Sequence, residues 1–428
     1  MRLLVLCPHY RPQENPRALR WTALCEAWAK EGWEVHLLCA RNGCPPGKER
    51  INGVYVHRTG FSSLGACLQK SSSGRPGFAS RPASRSRLFW LHTYSWQQLY
   101  WPDGACLWYP GALHVALRLL KNQPFDALLS VSLPFTAHWV AYAVKKRYPA
   151  LPWLVDIGDP FSFLHQAPKN NLRLYHRKNI RAERTVLRAA DEVTLTHAGA
   201  RDAYARYFPE ATPKLRVIPP VFVPAKPFVG LPPPNPPPYL LAYFGSFYSG
   251  VREPDLLLNF LNGFLRQCPH WRDLLRVELY GPMEAEFRRQ LQSAACWNKQ
   301  LFYRGWLSRP KAWSRLRTSP FLLSLGNRTS SQLPSKAADY WMSRRPVVHL
   351  WQNERDAFAE LFRSYPAFLS LNPHAFDAKK LVAFFEKGNQ LFQMTEDWKA
   401  QVRAFSLPSV AEAYSERIRS ISQGKTPD

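Results

Sequence analysis

The feature that most constrains this chain is a break. The run Pro232-Pro233-Pro234-Asn235-Pro236-Pro237-Pro238 separates two stretches, and in each the same alternation of short apolar runs and amphipathic segments begins anew. A proline run is a stiff, extended spacer that cannot pack a core of its own. Before it, residues 2–7 read as an apolar strand. Pro16 to Lys30 reads as a helix, with Leu19, Ala23, Leu24 and Ala27 at helical spacing, and Val35-His36-Leu37-Leu38 as the next strand. Strand, helix, strand in so short a span is a βαβ unit and predicts a parallel sheet. Further strands are expected at 54–56, 126–131, 153–156, 193–196 and 215–218, with helices at 111–121, up to Arg147 and at 171–189. After the prolines the pattern restarts with strands at 239–244, 275–280, 301–303, 320–325 and 346–350. Helices are expected between them, and helical patterning returns near 378–386 and 408–421. The expected class is α/β: two Rossmann-like domains over residues 1–222 and 239–405, a linker at 223–238 and a terminal helix within 406–428.

At 428 residues the chain is too long for one typical domain and suits two, each with its own core. Its net charge of +26, from 57 basic and 31 acidic residues, calls for an anionic partner. Arginine is spread along the whole chain, and no zinc-finger spacing, RNP-type strand or KH-type loop is present. An anionic membrane surface with phosphate ligands is therefore the expectation, and nucleic acid is not. The start, Met1-Arg2-Leu3-Leu4-Val5-Leu6-Cys7, runs into Pro8 and is too short for a signal sequence; no apolar run is long enough to span a bilayer. The eight cysteines are scattered without a CxxC pair, which argues for buried thiols rather than a zinc site or disulfide framework. Residues 62–87 are rich in Ser, Arg, Gly and Pro and read as a mobile basic loop.

One segment in the second half carries chemistry: Gln332-Leu333-Pro334-Ser335-Lys336-Ala337-Ala338-Asp339-Tyr340-Trp341-Met342, then Arg345-Pro346-Val347. Ser335 is expected to cap a helix, with Lys336 in its first turn and Asp339 on the same face. A helix start with a lysine suits a diphosphate, and a carboxylate one turn on suits ribose hydroxyls. Phe244-Gly245-Ser246, Tyr280-Gly281 and Arg304-Gly305 repeat a strand-to-glycine step that lets backbone approach a phosphate, and Arg252 lies just beyond the first. In the first half, Asp156-Ile157-Gly158-Asp159-Pro160 follows a buried-looking strand, where carboxylates can act as a base or orient hydroxyls. Turn formation and capping are the competing role. Ser132 and His138 end the preceding strand, and Arg17 and Arg20 are candidates for a phosphate or acceptor. The basic stretch Asn171 to Arg181 reads either as a lipid-facing helix or as a solvated one.

The segment Pro334-Ser335-Lys336 with Asp339, Tyr340 and Arg345-Pro346-Val347 resembles the donor-site helix of bacterial glycosyltransferases of the GT-B fold. More narrowly, it resembles the family 4-like group of surface-polysaccharide synthesis. Where that pattern carries two glutamates, Asp339 matches the second and Ser331 stands for the first; Arg344 stands for a common glycine. Ser132-Leu133-Pro134 and Asp156-Ile157-Gly158-Asp159-Pro160-Phe161 resemble that family's Ser-x-Pro-Pro and Asp-x-Arg-Asp-Pro-Trp motifs, with Gly158 in place of the arginine. The resemblance implies two domains facing a cleft, with the terminal helix crossing back to the first. It implies a nucleotide-sugar donor bound at Gly245, Ser246, Arg252, Gly281, Arg304, Gly305, Ser335, Lys336 and Asp339, and an acceptor side with Asp156, Asp159, Arg17, Arg20, Ser132 and His138. The expected activity is metal-independent transfer of a sugar to a saccharide or polyprenyl-linked acceptor, without a cofactor, in the cytoplasm at the inner face of the membrane. A sugar-nucleotide epimerase or hydrolase, or a non-catalytic polyanion binder, are the alternatives.

Overall fold

The computed structural model describes residues 1–60, 99–165, 168–222, 237–247, 249–391 and 395–424. The basic loop expected at 62–87 and most of the proline linker lie outside the described residues. The chain divides into two compact units, one of residues 1–219 with 407–428, the other of residues 220–406.

The first unit opens with β1 (Arg2–Leu6), α1 (Pro16–Lys30), β2 (Glu34–Cys39), β3 (Gly47–Ile51), β4 (Val54–Arg58), α2 (Tyr109–Asn122) and β5 (Ala127–Ser132). It continues with α3 (Thr136–Arg147), β6 (Trp153–Ile157), α4 (Leu172–Ala189), β7 (Glu192–Leu195), α5 (Ala198–Tyr207) and β8 (Leu215–Val217). Its sheet has the order β3-β4-β2-β1-β5-β6-β7-β8. Every pairing is parallel except β3 with β4. The reversal of order at β1 and β5 is the switch point where open α/β sheets take ligands. Every residue of β5 and β6 is buried, as in a strand covered on both faces. The edge strand β3 was not expected from the sequence. Its signal is Asn52-Gly53, whose positive φ angles of 46° and 88° make the tight hairpin turn.

The second unit holds β9 (Tyr239–Phe244), α6 (Pro254–Gln267), β10 (Leu275–Tyr280), α7 (Ala285–Gln292), β11 (Leu301–Gly305), α8 (Arg309–Thr318) and β12 (Phe321–Leu325). Then come α9 (Ala337–Ser343), β13 (Val347–Leu350), α10 (Ala357–Leu361), β14 (Phe368–Leu371), α11 (Ala378–Lys387) and α12 (Glu396–Ala404). The strand order is β11-β10-β9-β12-β13-β14, all parallel. Two hydrophobic clusters of this unit draw on the sheet: one includes Leu241, Leu257, Phe260, Val277 and Leu323, the other Ala242, Leu322, Tyr340, Trp341 and Val347.

The last helix, α13 (Leu407–Ser422), packs back on the first unit against α1. The Trp28 indole donates to the Ala411 carbonyl at 3.2 Å, and the Trp21 and Tyr414 rings meet edge to face at 5.4 Å. The seven cysteines among the described residues are free thiols. No helix among these residues is long and apolar enough to cross a membrane.

Candidate functional site

In the second unit, the three strand-to-glycine steps fall side by side because β9, β10 and β11 are adjacent and parallel. The Gly245 amide donates to the Tyr280 carbonyl at 2.9 Å, and the Gly281 amide to the Gly305 carbonyl at 3.0 Å. Gly281 has a φ of 141°, and a Cβ there would collide with the Gly245 carbonyl. Only glycine lets the Gly245 and Gly281 strand ends close on one another, and all three glycines are half-buried at the carboxyl edge of the sheet.

The helix expected at Ser335 begins two residues later, at Ala337. Ser335 lies in the preceding turn, and Lys336 holds the cap position without a side-chain cap bond. The Ala337 amide is taken by the Pro334 carbonyl at 2.9 Å, closing a turn ahead of the helix. The helix is short, so charge rather than dipole dominates here. Asp339 is buried and holds two cations: Lys336 Nζ lies 3.1 Å from one carboxylate oxygen and Arg309 Nη2 lies 3.5 Å from the other. Lys336 is about one-third exposed and so keeps donors for a ligand. Arg309 begins α8, and sequence reading missed it because it lies thirty positions from Asp339. Tyr340 anchors the helix: its hydroxyl donates to the Leu323 carbonyl at 2.9 Å and accepts the Phe244 amide at 3.1 Å, joining the end of β9 to the middle of β12.

Two expected donor contacts are already engaged inside this unit. Arg252 is buried and donates to the Tyr243 hydroxyl at 2.8 Å, to Asn327 Oδ1 at 2.6 Å and to the Ser246 carbonyl at 3.2 Å. It therefore ties the loops after β9 and β12 together. Arg304 donates through Nε at 3.0 Å and Nη2 at 2.8 Å to one oxygen of Glu278, whose other oxygen takes Arg315 at 2.7 Å and the Tyr280 hydroxyl at 2.5 Å. Burial pushes the Glu278 carboxyl up, but the bonds from Tyr280, Arg315 and Arg304 outweigh it and hold the group below the usual carboxylate range. Glu278 and Arg315 had no motif to mark them.

In the first unit, β5 and β6 run in register with Ser132 opposite Ile157, so the two expected loops leave the sheet together. The Phe135 and Phe161 rings stack at 4.1 Å across them. Glu183 fixes the second loop from below, accepting the Ser162 amide at 2.9 Å, the Ser162 hydroxyl at 2.5 Å, the Phe161 amide at 3.3 Å and the Tyr204 hydroxyl at 2.6 Å. Burial raises the Glu183 carboxyl despite these donors.

Asp156 and Asp159 separate here. Asp156 is buried and takes the Tyr414 hydroxyl at 2.5 Å and the Thr194 hydroxyl at 3.0 Å, while Arg20 donates to the same Tyr414 oxygen at 2.8 Å. Both are engaged inside the first unit: Asp156 ties α13 to β6, and Arg20 ties it to α1. Asp159 keeps 31% side-chain exposure and lies 3.5 Å from Arg17 Nη2. Arg17 donates through Nη1 to the Leu133 carbonyl at 2.6 Å, and its guanidinium lies over Gly158, where a Cβ would collide with Nη2. The residue that departs from the resembled motif thus makes room for an arginine from another element. Asn15, whose side chain caps the Ala18 amide at 2.9 Å, starts α1 at the point that brings Arg17 there.

Ser132 and His138 point inward. Ser132 is buried, and His138 Nδ1 lies 2.8 Å from the Ser130 hydroxyl. Burial, with a smaller push from Arg17, lowers the His138 imidazole to about 3, so it is neutral and cannot serve as a cation for a phosphate.

Comparison with known proteins supplies the remaining finding. Residues 18–220 match the family model described as Glycosyl transferase 4-like domain. A search of curated proteins by sequence finds no match. Among solved structures, sucrose-phosphate synthase from Thermosynechococcus elongatus aligns over 99% of this chain and 100% of its own, with 13% identity and a TM-score of 0.64. Trehalose 6-phosphate synthase from Burkholderia multivorans aligns over 99% of each chain, with 14% identity and a TM-score of 0.63. A lipopolysaccharide outer core galactosyltransferase aligns over 98% of this chain and 99% of its own, with 12% identity and a TM-score of 0.57. These likenesses establish the fold as that of the GT-B glycosyltransferases, the fold that the resemblance read from the sequence implied.

Proposed function

We propose, from the premise of a glycosyl transferase 4-like domain within a GT-B fold, that this chain moves a sugar from a nucleotide-diphosphate donor to a saccharide or lipid-linked acceptor. The observation that carries the reading is the group Lys336, Arg309 and Asp339 beside the glycine edge of the second sheet. Two cations share one buried carboxylate, which leaves local positive charge on the side of the sheet where a diphosphate would approach. Lys336 and Arg309 would neutralise the departing diphosphate, and positioning with such electrostatic stabilisation would supply the catalysis. No metal and no further cofactor enters the scheme. On the acceptor side Asp159, partly exposed beside Arg17, would meet the acceptor hydroxyl. A chain of net charge +26 acting on lipid-linked acceptors for surface polysaccharide would work against the inner face of a membrane from the cytoplasm.

The test is a thermal-shift screen with a panel of nucleoside diphosphates and their sugars, on wild type and on K336A and D339A. A donor should raise the melting temperature of the wild type by mass action. K336A should lose that shift while its own melting temperature stays close to wild type, and transfer should cease. D339A should lose the shift too, with a lower melting temperature, because it leaves two cations facing one another. If K336A keeps wild-type donor affinity, the donor assignment fails. Release of free nucleotide or an isomerised sugar without acceptor would favour a hydrolase or epimerase instead.

A further inference from the structure

Helix α4 (Leu172–Ala189) turns one side to the core through Asn179, Ala182, Glu183, Val186 and Leu187. Glu183 is its only acidic residue and is buried, so the outward side carries no carboxylate. That side presents Arg173, Arg177 and Arg181, four residues apart and all exposed, so they form one stripe. None of the three pairs with a carboxylate among the described residues, whereas Arg184 and Arg188 are satisfied by Glu210 at 2.9 and 3.6 Å. Apolar groups lie among the charges. Leu174 is 58% exposed, and Leu99, whose carbonyl accepts the Tyr175 hydroxyl at 2.7 Å, is 53% exposed. Lys178 sits 3.9 Å over the Trp101 ring.

We propose that this face of α4 docks on an anionic lipid bilayer, with Arg173, Arg177 and Arg181 on headgroup phosphates and Leu174 inserted beneath them. Charge complementarity names an anionic partner, and the exposed leucines select a lipid surface over a nucleic acid. A phosphodiester backbone would satisfy the arginines and leave Leu174 in water, whereas the interfacial boundary of a bilayer takes both. The inference rests on the proposed work at a membrane surface and not on the transfer chemistry, so the two fail separately.

The experiment is flotation of the full chain with vesicles of phosphatidylcholine alone and of phosphatidylcholine mixed with phosphatidylglycerol, together with binding to duplex DNA. Wild type should float with the mixed vesicles only and be released by salt. The triple variant R173Q/R177Q/R181Q should lose on the order of 100-fold in affinity, about fivefold for each charge. L174S should weaken vesicle binding and leave any DNA binding unchanged. Nucleotide-induced thermal shifts in both variants should match wild type, which reports intact folding and a donor site independent of this face. Equal vesicle binding by wild type and the triple variant overturns the proposal. So does an L174S variant that binds vesicles as wild type does, since the face would then be a simple polyanion contact.

Discussion

At the scale of single residues, neighbours in sequence part company according to what covers them. Asp156 and Asp159 stand three apart, yet one closes an internal network and the other reaches solvent beside Arg17. D156N should therefore lower stability by about 1–3 kcal/mol, since it disturbs a buried acceptor with two hydroxyl donors, and leave turnover of the folded protein near normal. D159N should keep its melting temperature and donor affinity and lose about 10²–10⁴-fold in turnover if it acts on the acceptor hydroxyl. Urea melts, donor titrations and turnover on each variant read these outcomes, and normal turnover in D159N would remove it from the mechanism. Gly158 shows the same dependence on surroundings: its lack of a side chain is used by Arg17, from an element far away in sequence.

At the scale of elements, α13 is held by aromatic packing with a polar centre. Trp21 and Trp28 meet Tyr414, Trp28 stacks on Trp33 at 5.8 Å, and Arg419 lies 5.6 Å over the Trp33 ring. Three tryptophans thus go into docking a helix that follows directly on the other unit in the chain. Y414F keeps the ring and removes the hydroxyl, leaving the buried Asp156 carboxylate and Arg20 without their shared partner. Its expected cost is about 1–3 kcal/mol in chemical denaturation, with no change in donor affinity, because the proposed donor group lies in the second unit. A variant as stable as wild type would show that ring packing alone holds the helix. Helix α9 gives the contrasting case: its tie is Tyr340, which bridges β9 and β12, and its cap position is empty of side-chain bonding.

At the scale of the whole molecule, acid stability follows from buried imidazoles. Burial lowers His138 to about 3 and, with help from His36, lowers His57 to about 4. Between the ordinary histidine value and these lowered ones, the unfolded chain takes up protons that the folded chain refuses. Stability therefore rises with pH through that window and is lost as pH falls, by up to about 1.4 kcal/mol per pH unit for each group. H138N should flatten the slope below about pH 6 in urea melts, and an unchanged slope would mean that His138 titrates alike in both states. Much of the molecule is legible in its sequence. Apolar runs, helical spacing and strand-to-glycine steps are local properties, so they fixed the strands, helices and parallel class, and the Pro334-Ser335-Lys336 segment marked the proposed donor side. The β3 hairpin was signalled by Asn52-Gly53, though its strand is polar and exposed and so carries no apolar alternation. What only the tertiary structure decided is which polar groups are consumed internally. Arg20, Arg252, Arg304 and Asp156 find partners on distant elements, while Arg309 and Arg17 are delivered to Asp339 and Asp159 from distant positions. A side chain's type is written in the sequence, but its partner is set by which strand ends lie side by side, and that is a property of the folded sheet.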